Sequence, residues 1–182
     1  TYMHCTRKGR VLLRRRWIQL IITVALILAA DQVTKRWVVD NILVGQTLRP
    51  VPFLSPFFQI THSQNVGAAF GFLPQAGDLF LIIGIVVVIG LILFYHRIPE
   101  EARWTRFAVG LVCAGALGNA LDRLEYGHVV DFIHYQIPGV ISNVSNLADH
   151  AIVFGVILIF LESWRSERAS AATPDPTPPE ES

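Results

Sequence analysis

The sequence is poor in charge, in lysine and in cysteine for a chain of 182 residues. Charged residues make up 16% of it and hydrophobic residues 52%, which excludes an ordinary soluble domain and indicates a membrane protein. The net charge of +1, with no basic patch, gives no support to nucleic-acid binding. Cys5 lies in a basic segment and Cys113 in an apolar run, so we expect two free thiols rather than a disulfide.

Several hydrolytic machineries are also missing. No serine lies in a Gly-x-Ser-x-Gly turn, and Lys8 and Lys35 are the only lysines, so a serine nucleophile has little support. The six histidines show no His-Glu-x-x-His or other tight metal-ligand spacing, which argues against a zinc site. Cys113 lies in the middle of an apolar run, away from other polar residues, and this argues against a thiol nucleophile.

The sequence is rich in long apolar runs, and four of them approach the roughly 20 residues that a helix needs to cross a bilayer. They predict helices over residues 17–39, 79–95, 104–121 and 147–164, in a membrane domain that covers residues 17–165. The first run follows three arginines, as the apolar core of a signal peptide does. Polar residues after Ala30 continue it in helical register, which favours an uncleaved helix.

The distribution of basic residues predicts the orientation. Eleven of the 15 Lys and Arg residues precede the first run, flank the loop between the second and third, or follow the fourth. Because short cytoplasmic loops are enriched in these residues, both termini are expected in the cytoplasm, with residues 40–78 and 122–146 outside. Residues 1–16 then form a basic cytoplasmic segment. Residues 166–182 form a cytoplasmic tail, which is expected to be disordered because it is rich in proline and polar residues.

The two external segments have different patterns. Residues 48–52 and 57–61 indicate short strands on either side of a turn, so the first segment is expected to form a small sheet on the membrane surface. The second segment mixes apolar residues with Pro138-Gly139 and predicts a short amphipathic or interfacial helix. The predicted fold class is therefore mainly α, with four transmembrane helices, a small external sheet and an external loop with a short helix.

Ionisable and amide residues converge at the outer ends of the predicted helices. Such residues are costly inside a membrane and are default candidates for a functional site. The predicted topology brings together Asp31, Lys35, Asn65, Asn119, Asp122, Arg123, Asp131, Asn146 and Asp149. The sequence shows no comparable set at the opposite helix ends.

Some of these residues also fit purely structural roles. Asp31 and Lys35 have the i, i+4 spacing of a local ion pair. Gly115 and Gly118 would let two helices approach closely, which explains the glycines better than it explains the neighbouring Asn119. Neither interpretation is excluded by the sequence.

Of the candidates nearer the C-terminus, some also fit a structural role and one does not. Asn146, three residues before Asp149, resembles a helix N-cap with an acid in the first turn. Asp131 is harder to explain structurally, because its apolar neighbours impose a desolvation cost that calls for a partner.

With serine, zinc and thiol mechanisms disfavoured, a pair of aspartates is the hydrolytic machinery that the sequence still supports. Two carboxylates that lie close together cannot both ionise easily, so they share a proton. One can then take a proton from an attacking water while the other protonates the leaving nitrogen of an amide. Such a site needs no metal and no cofactor.

Four sequence blocks together resemble the lipoprotein signal peptidase family, also called signal peptidase II. The blocks are Asp-Gln-Val-Thr-Lys at 31–35, Asn-Val-Gly-Ala-Ala-Phe-Gly at 65–71, residues 115–123 with Val-Asp-Phe-Ile at 130–133, and Asn-Leu-Ala-Asp at 146–149. One block alone is weak, but four in this order are specific. The resemblance spans about residues 17–165, with His150 as a departure where a small residue is expected.

The resemblance implies an aspartic endopeptidase with Asp131 and Asp149 as its catalytic pair. It implies site-shaping roles at the other motif positions, Asp31, Lys35, Asn65, Gly115, Asn119, Arg123 and Asn146. The implied substrate is a diacylglyceryl prolipoprotein, cut just before its lipidated cysteine at the periplasmic face of the bacterial inner membrane. Membrane lipid is the other expected partner, and a monomer is expected. The first external segment would form a cradle and the second a lid.

Two functions of other classes stay open on the residues alone. A proton-coupled transporter would use the intramembrane acids as a relay, although the inner halves of the predicted helices are almost purely apolar. A noncatalytic scaffold would use the same polar residues to hold helices together. Cleavage of a lipidated precursor by the purified protein separates the three.

Overall fold

A computed structural model describes the chain over residues 3–67, 77–99, 101–137 and 139–171. Over these ranges the chain forms four α-helices, a short 3-10 helix and one sheet. The helices are α1 (Met3–Asn41), α2 (Gly77–Tyr95), α3 (Arg103–Tyr126) and α4 (Leu147–Ala171). The strands are β1 (Thr47–Leu48), β2 (Phe58–Asn65), β3 (Val129–Ile137) and β4 (Ile141–Ser145).

Each α-helix contains a stretch that is long and apolar enough to cross a membrane. These stretches are Arg15–Asn41, Gly77–Tyr95, Arg103–Tyr126 and Leu147–Arg168. In α3, 61% of the most apolar window is buried inside the protein, against 17% in α1 and α4 and 6% in α2. α3 is therefore the central helix, and the other three present apolar faces to lipid. The predicted membrane fold is confirmed.

The helix ends differ from those predicted, because an apolar run marks the membrane crossing and not the whole helix. α1 already begins at Met3, and α4 continues to Ala171, so the tail predicted from residue 166 is helical at first. Residues 172–182 lie outside the described residues. α3 continues to Tyr126 and stops where Gly127 takes a left-handed conformation, φ 76°, with its N–H bonded to the Arg123 carbonyl. Arg123 therefore lies in a helical turn.

The first external segment forms part of the predicted sheet, in which each strand is antiparallel to its neighbour and the order is β1-β2-β3-β4. The strand predicted over 48–52 is reduced to Thr47–Leu48, because the prolines that follow cannot donate ladder hydrogen bonds. A 3-10 helix, Pro52–Leu54, follows it. β2 is longer than the predicted 57–61 and has an irregularity in its pairing between Ile60 and Ser63.

The short helix predicted in the second external segment is wrong. β3 and β4 form a hairpin there, with Gly139 at φ 76° in its turn, and β3 also pairs with β2. The segment expected to act as a lid thus supplies an interior strand of the sheet and one of its edges. Val130 and Phe132 of β3 are buried against Val38 and Ile42 at the end of α1, and this contact anchors the sheet to the helices.

The opposite end of the helices is less apolar than the sequence suggested. Arg106 of α3 is buried there, with its guanidinium 2.7 Å from the Pro99 carbonyl and 3.4 Å from Gln19 of α1. The Tyr95 hydroxyl donates to the Arg16 carbonyl nearby. These contacts tie the α2–α3 connection to α1. An apolar cluster around Leu20, Val109 and Cys113 lies alongside them.

Candidate active site

The polar residues predicted to converge do so at the sheet end of the helices. They form two connected groups. The first, which we call the buried ion cluster, consists of Asp31 and Lys35 of α1 and Asp122 of α3. The second is the aspartate pair, Asp131 of β3 and Asp149 of α4.

The buried ion cluster is centred on the Lys35 ammonium. Its Nζ lies 2.8 Å from a carboxylate oxygen of Asp31 and 2.8 Å from one of Asp122. It also donates to the Asn119 side-chain oxygen at 3.0 Å, so all three ammonium protons have an acceptor. All three charged side chains are 1% exposed or less. The predicted pair of Asp31 and Lys35 is therefore a buried interhelical cluster and not a surface ion pair.

The two carboxylates of the cluster also hold the segments that carry the aspartate pair. Asp31 accepts the backbone N–H of Ala148 at 2.9 Å, one residue before Asp149. Asp122 accepts the backbone N–H of Val130 at 3.1 Å, one residue before Asp131. Both aspartates of the pair are thereby attached to the same charged centre. The cluster fixes their backbone positions relative to α1 and α3.

Asp131 is buried on β3 between two asparagines, with 3% of its surface exposed. Asn65 of β2 donates to one carboxylate oxygen at 3.0 Å, and Asn146 donates to the other at 2.6 Å. Burial raises the pKa of Asp131 from 3.8 to about 6; the hydrogen bond from Asn65 opposes the shift, and the charge of Asp149 adds to it. Asp131 therefore keeps its proton to a higher pH than an exposed aspartate does.

Asp149 lies in the first turn of α4 and is less buried than Asp131. Its carboxylate accepts the Asn119 side-chain N–H at 2.7 Å. Because the oxygen of that amide already binds Lys35, its NH₂ group must face Asp149. Asn119 thus links the buried ion cluster to the aspartate pair with a fixed orientation.

Asn146 connects the two aspartates directly. Its side-chain NH₂ donates to Asp131, and its side-chain oxygen accepts the backbone N–H of Asp149 at 2.9 Å. The second bond is the N-cap predicted for this residue. The oxygen of this fully buried side chain therefore caps α4, and its NH₂ group binds the proposed site residue Asp131.

Arg123 and Gly115 shape the site from α3. Arg123 donates to the Asn119 carbonyl at 3.1 Å and lies 5.7 Å from the centre of the Phe80 ring, in the field of Asp149 and other carboxylates. A Cβ added to Gly115 would collide with the Ala148 carbonyl oxygen. This glycine therefore permits the close contact of α3 with the start of α4, as the packing interpretation proposed.

The structure adds three residues to those for which the family resemblance implies a site role: Asp122, which the predicted topology already placed at this end of the helices, Gln32, and Gly118, until now only a packing glycine. Asp122 completes the buried ion cluster, and Gln32 donates to its carboxylate at 2.9 Å. A Cβ on Gly118 would meet the Asp31 carboxylate. The signal was present, since Gly115, Gly118 and Asp122 recur at helical spacing along one face of α3. Residues 68–71, which end the second sequence block, lie outside the described residues.

Two cavities lie against α4, and one of them reaches Asp149. One, of about 700 Å³, is lined by Asp149, by Asn65, by residues 142–145 of β4 and by the apolar side chains Val153 and Ile157 of α4. The other, of about 410 Å³, is almost entirely apolar and lies between α1, α3 and α4. His150 and Phe154 line both cavities. The lining of the site is thus partly polar near the sheet and apolar along α4.

The histidine beside the second aspartate is held in place. The His150 ring nitrogen Nδ1 donates to the Asn146 carbonyl at 2.6 Å, and the ring lies 5.8 Å from that of Tyr135. Among the described side chains, no group of three or more His, Cys, Asp or Glu residues is arranged to hold a metal ion. The chemistry available at the site is that of two unequal carboxyl groups, Asp131 buried and Asp149 facing a cavity with polar and apolar lining.

Comparison with known proteins agrees with the sequence blocks. Residues 23–165 match the family model for signal peptidase (SPase) II. A lipoprotein signal peptidase of Bacillus subtilis (strain 168) is 39% identical over 137 residues, which is 75% of this chain and 87% of that protein. One from Desulfitobacterium hafniense (strain DSM 10664 / DCB-2) is 41% identical over 151 residues, with coverage of 81% and 95%.

Solved structures give the same result for the fold. A bacterial membrane enzyme determined by the in meso method superposes with a TM-score of 0.75 at 32% identity, covering 87% of this chain and 94% of that one. A second such enzyme gives a TM-score of 0.70 at 35% identity, with coverage of 79% and 90%. The match covers the helices and the sheet together.

Proposed function

The chain belongs to the signal peptidase II family, a family of membrane proteases that remove signal peptides from lipoprotein precursors, and we propose that it does so as an aspartic endopeptidase with Asp131 and Asp149 as its catalytic pair. The proposed substrate is a precursor that carries a diacylglyceryl group on the cysteine after the cleavage point. The proposed cut lies just before that cysteine.

The observation that carries the proposal is the bridge formed by Asn146. One buried side chain binds the Asp131 carboxylate through its NH₂ group and the Asp149 backbone through its oxygen. The two carboxyl groups are thereby held in each other's field in unequal surroundings, one buried and one facing the 700 Å³ cavity. Such inequality is what a pair needs if one member is to hold a proton while the other is ionised.

In the proposed reaction the pair acts on a water between the carboxyl groups. The ionised carboxylate accepts a proton from this water as its oxygen attacks the scissile carbonyl carbon. The protonated carboxyl group then donates its proton to the leaving nitrogen, the carbon–nitrogen bond breaks, and the pair ends with one proton, as it began. Asn65, Asn119 and Asn146 direct amide N–H groups at the carboxylates and hold them in position throughout.

The cavities suit a substrate that is part lipid and part peptide. The apolar wall of α4 beyond Asp149 runs into the membrane-crossing stretch, so it can receive the signal helix or an acyl chain. Residues 142–145 of β4 line the same cavity and contribute the polar side chains of Ser142, Asn143 and Ser145. A scissile bond between the apolar and polar parts of this lining would lie next to Asp149.

We propose the bacterial inner membrane as the location, with both termini in the cytoplasm and the site at the periplasmic face. The excess of Lys and Arg at the ends of the helices remote from the sheet supports this orientation. Labelling of single cysteines with a membrane-impermeant reagent tests it. A cysteine in place of Ser142 should react in intact cells only after the outer membrane is made permeable, and one in place of Ser166 should not react.

The activity itself is tested with purified protein in lipid and a synthetic precursor that is either diacylglyceryl-modified or unmodified. The modified precursor should be shortened, and mass spectrometry should find the lipidated cysteine at the new amino terminus. Cleavage at another bond, or no cleavage of the modified precursor, contradicts the proposal.

A further inference from the structure

The sheet ends in an open edge at β4. In the order β1-β2-β3-β4, β4 pairs with β3 on one side, and no described strand pairs with the other. Every second residue of an antiparallel strand directs its N–H and C=O groups away from its partner. Ile141, Ser142 and Asn143 are exposed, so these groups are open to a further chain.

This edge lacks the features that usually prevent strand addition. Exposed edges are commonly shortened, charged or interrupted by proline. The opposite edge follows that rule, since β1 has two residues and is followed by Arg49 and Pro50. β4 has five residues, Ile-Ser-Asn-Val-Ser, without charge or proline. An edge left this way next to a cavity is suited to bind an extended peptide.

The edge also lies at the right place. Residues 142–145 line the same 700 Å³ cavity as Asp149. β4 ends at Ser145, directly before Asn146, which holds the aspartate pair. Five residues of strand extend about 17 Å, so an added chain that starts beside the pair could run along the whole of β4.

The directions in which α4 and β4 lead away from Asp149 indicate which part of the substrate would lie along β4. The α4 wall leads from Asp149 into a membrane-crossing stretch, where the apolar part before the cleavage point would lie. β4 leads from the pair toward the Gly139 turn, outside the membrane-crossing stretches. In the precursor, the part that lies outside the membrane next to the cleavage point is the part that follows it.

We propose that β4 binds the precursor residues that follow the lipidated cysteine, as an added strand held by main-chain hydrogen bonds. This inference rests on the proposed function and names a subsite of the same enzyme. Recognition through the main chain places few demands on side chains, because the N–H and C=O groups of any residue except proline can pair with the edge. Side chains of the added strand would point alternately to the two faces of the sheet.

The test uses the unaltered enzyme and a set of diacylglyceryl precursors, each with a single N-methylated amide at the second, third, fourth or fifth residue after the cysteine. A methyl group replaces one N–H donor and blocks approach to an edge. In an added strand only alternate amides face β4, so kcat/KM should fall by ~10-fold at alternate positions and stay near the unmodified value between them. A methyl group at the tenth residue is the matched control.

The pattern of the four values decides the outcome. A period of two supports strand addition at β4. Equal values at all four positions, whether unchanged or uniformly lowered, overturn it, while cleavage of the diacylglyceryl precursor without an N-methyl group leaves the proposed function standing. Failure to cleave that diacylglyceryl precursor overturns both. Pairing of β4 with a second copy of this chain predicts equal values and is therefore one of the results that would reject the inference.

Discussion

The backbone N–H of Ala148 donates to the Asp31 carboxylate at 2.9 Å, across a separation of 117 residues. Ala148 directly precedes Asp149, and Asp31 is held in turn by Lys35 at 2.8 Å. A charged group in the first helix therefore fixes the backbone that carries a proposed catalytic residue in the last. The cluster is fully buried, so its effect on stability and its effect on the site are expected to be coupled.

Replacement of Lys35 by Met should destabilise the protein strongly. It leaves the Asp31 and Asp122 carboxylates buried without their cation, which typically costs ~3–5 kcal/mol in free energy of unfolding. Thermal unfolding in detergent measures the effect. The matched control is Arg165→Ala, because Arg165 is 77% exposed and its 3.7 Å pair with Glu162 should contribute less than ~1 kcal/mol. Equal midpoints for the two variants would contradict the role given to the cluster.

Gly115→Ala should lower stability, whereas Gly90→Ala should not. A Cβ at Gly115 would collide with the Ala148 carbonyl and approach Ile152 to 2.7 Å, and forcing the helices apart costs ~1–3 kcal/mol. A Cβ at Gly90 meets no described atom within 4 Å, so alanine there should be neutral or stabilise α2 by up to ~1 kcal/mol. The difference between the two thermal midpoints is the measurement. A tolerated alanine at Gly115 would show that α3 and α4 need not pack so closely.

Asp131 should make stability depend on pH between about 4 and 7. It binds its proton more tightly in the folded protein, where its pKa is about 6, than in the unfolded chain, where it is 3.8. The resulting stabilisation, up to ~3 kcal/mol, is complete below pH 3.8 and is lost as the pH rises through about 6. The thermal unfolding midpoint of the wild type, relative to that of Asp131→Asn, should therefore decrease as the pH is raised from 4 to 7. Parallel curves would show that the Asp131 pKa is not raised.

Arg123→Ala should impair both stability and turnover. The variant loses the hydrogen bond to the Asn119 carbonyl and removes a cation from the field of Asp149, Asp122 and Asp131. We expect a lower unfolding midpoint and a decrease of ~10-fold or more in kcat/KM. Arg123→Lys, which keeps the charge, should retain more of both. A fully stable Arg123→Ala protein with normal turnover would count against this role.

The membrane crossings were predictable from the sequence because their signal is local. A run of apolar residues identifies a spanning helix wherever the rest of the chain lies. The basic extension of α1 and the last turns of α3 and α4 carry no such signal, so the predicted helices were too short. Asp122 was expected at this end of the third helix, but its ion pair with Lys35 depends on the packing of α1 against α3, which no local pattern in the sequence shows.

The second half of the sheet was not predictable in the same way. β3 is an interior strand, and its residues Val129–Phe132 are buried on both faces, so the alternation typical of a half-exposed strand is absent. That pattern also fits a short interfacial helix, which was the wrong prediction. Pro138-Gly139 indicates a loop of any kind, and in the structure Gly139 lies in the turn of a hairpin. Only the pairing of β3 with β2, far away in the sequence, decides the question.

The central claim is that Asp131 and Asp149 act as a catalytic pair, and it is tested most directly by the rate at which Asp131→Asn and Asp149→Asn process a diacylglyceryl precursor in lipid. Asp40→Asn is the matched control, because Asp40 is an exposed aspartate at the end of α1. Both site variants should fold, as judged by circular dichroism, and lose at least ~1,000-fold in kcat, while the control keeps the wild-type rate. A wild-type rate in either site variant would contradict the account.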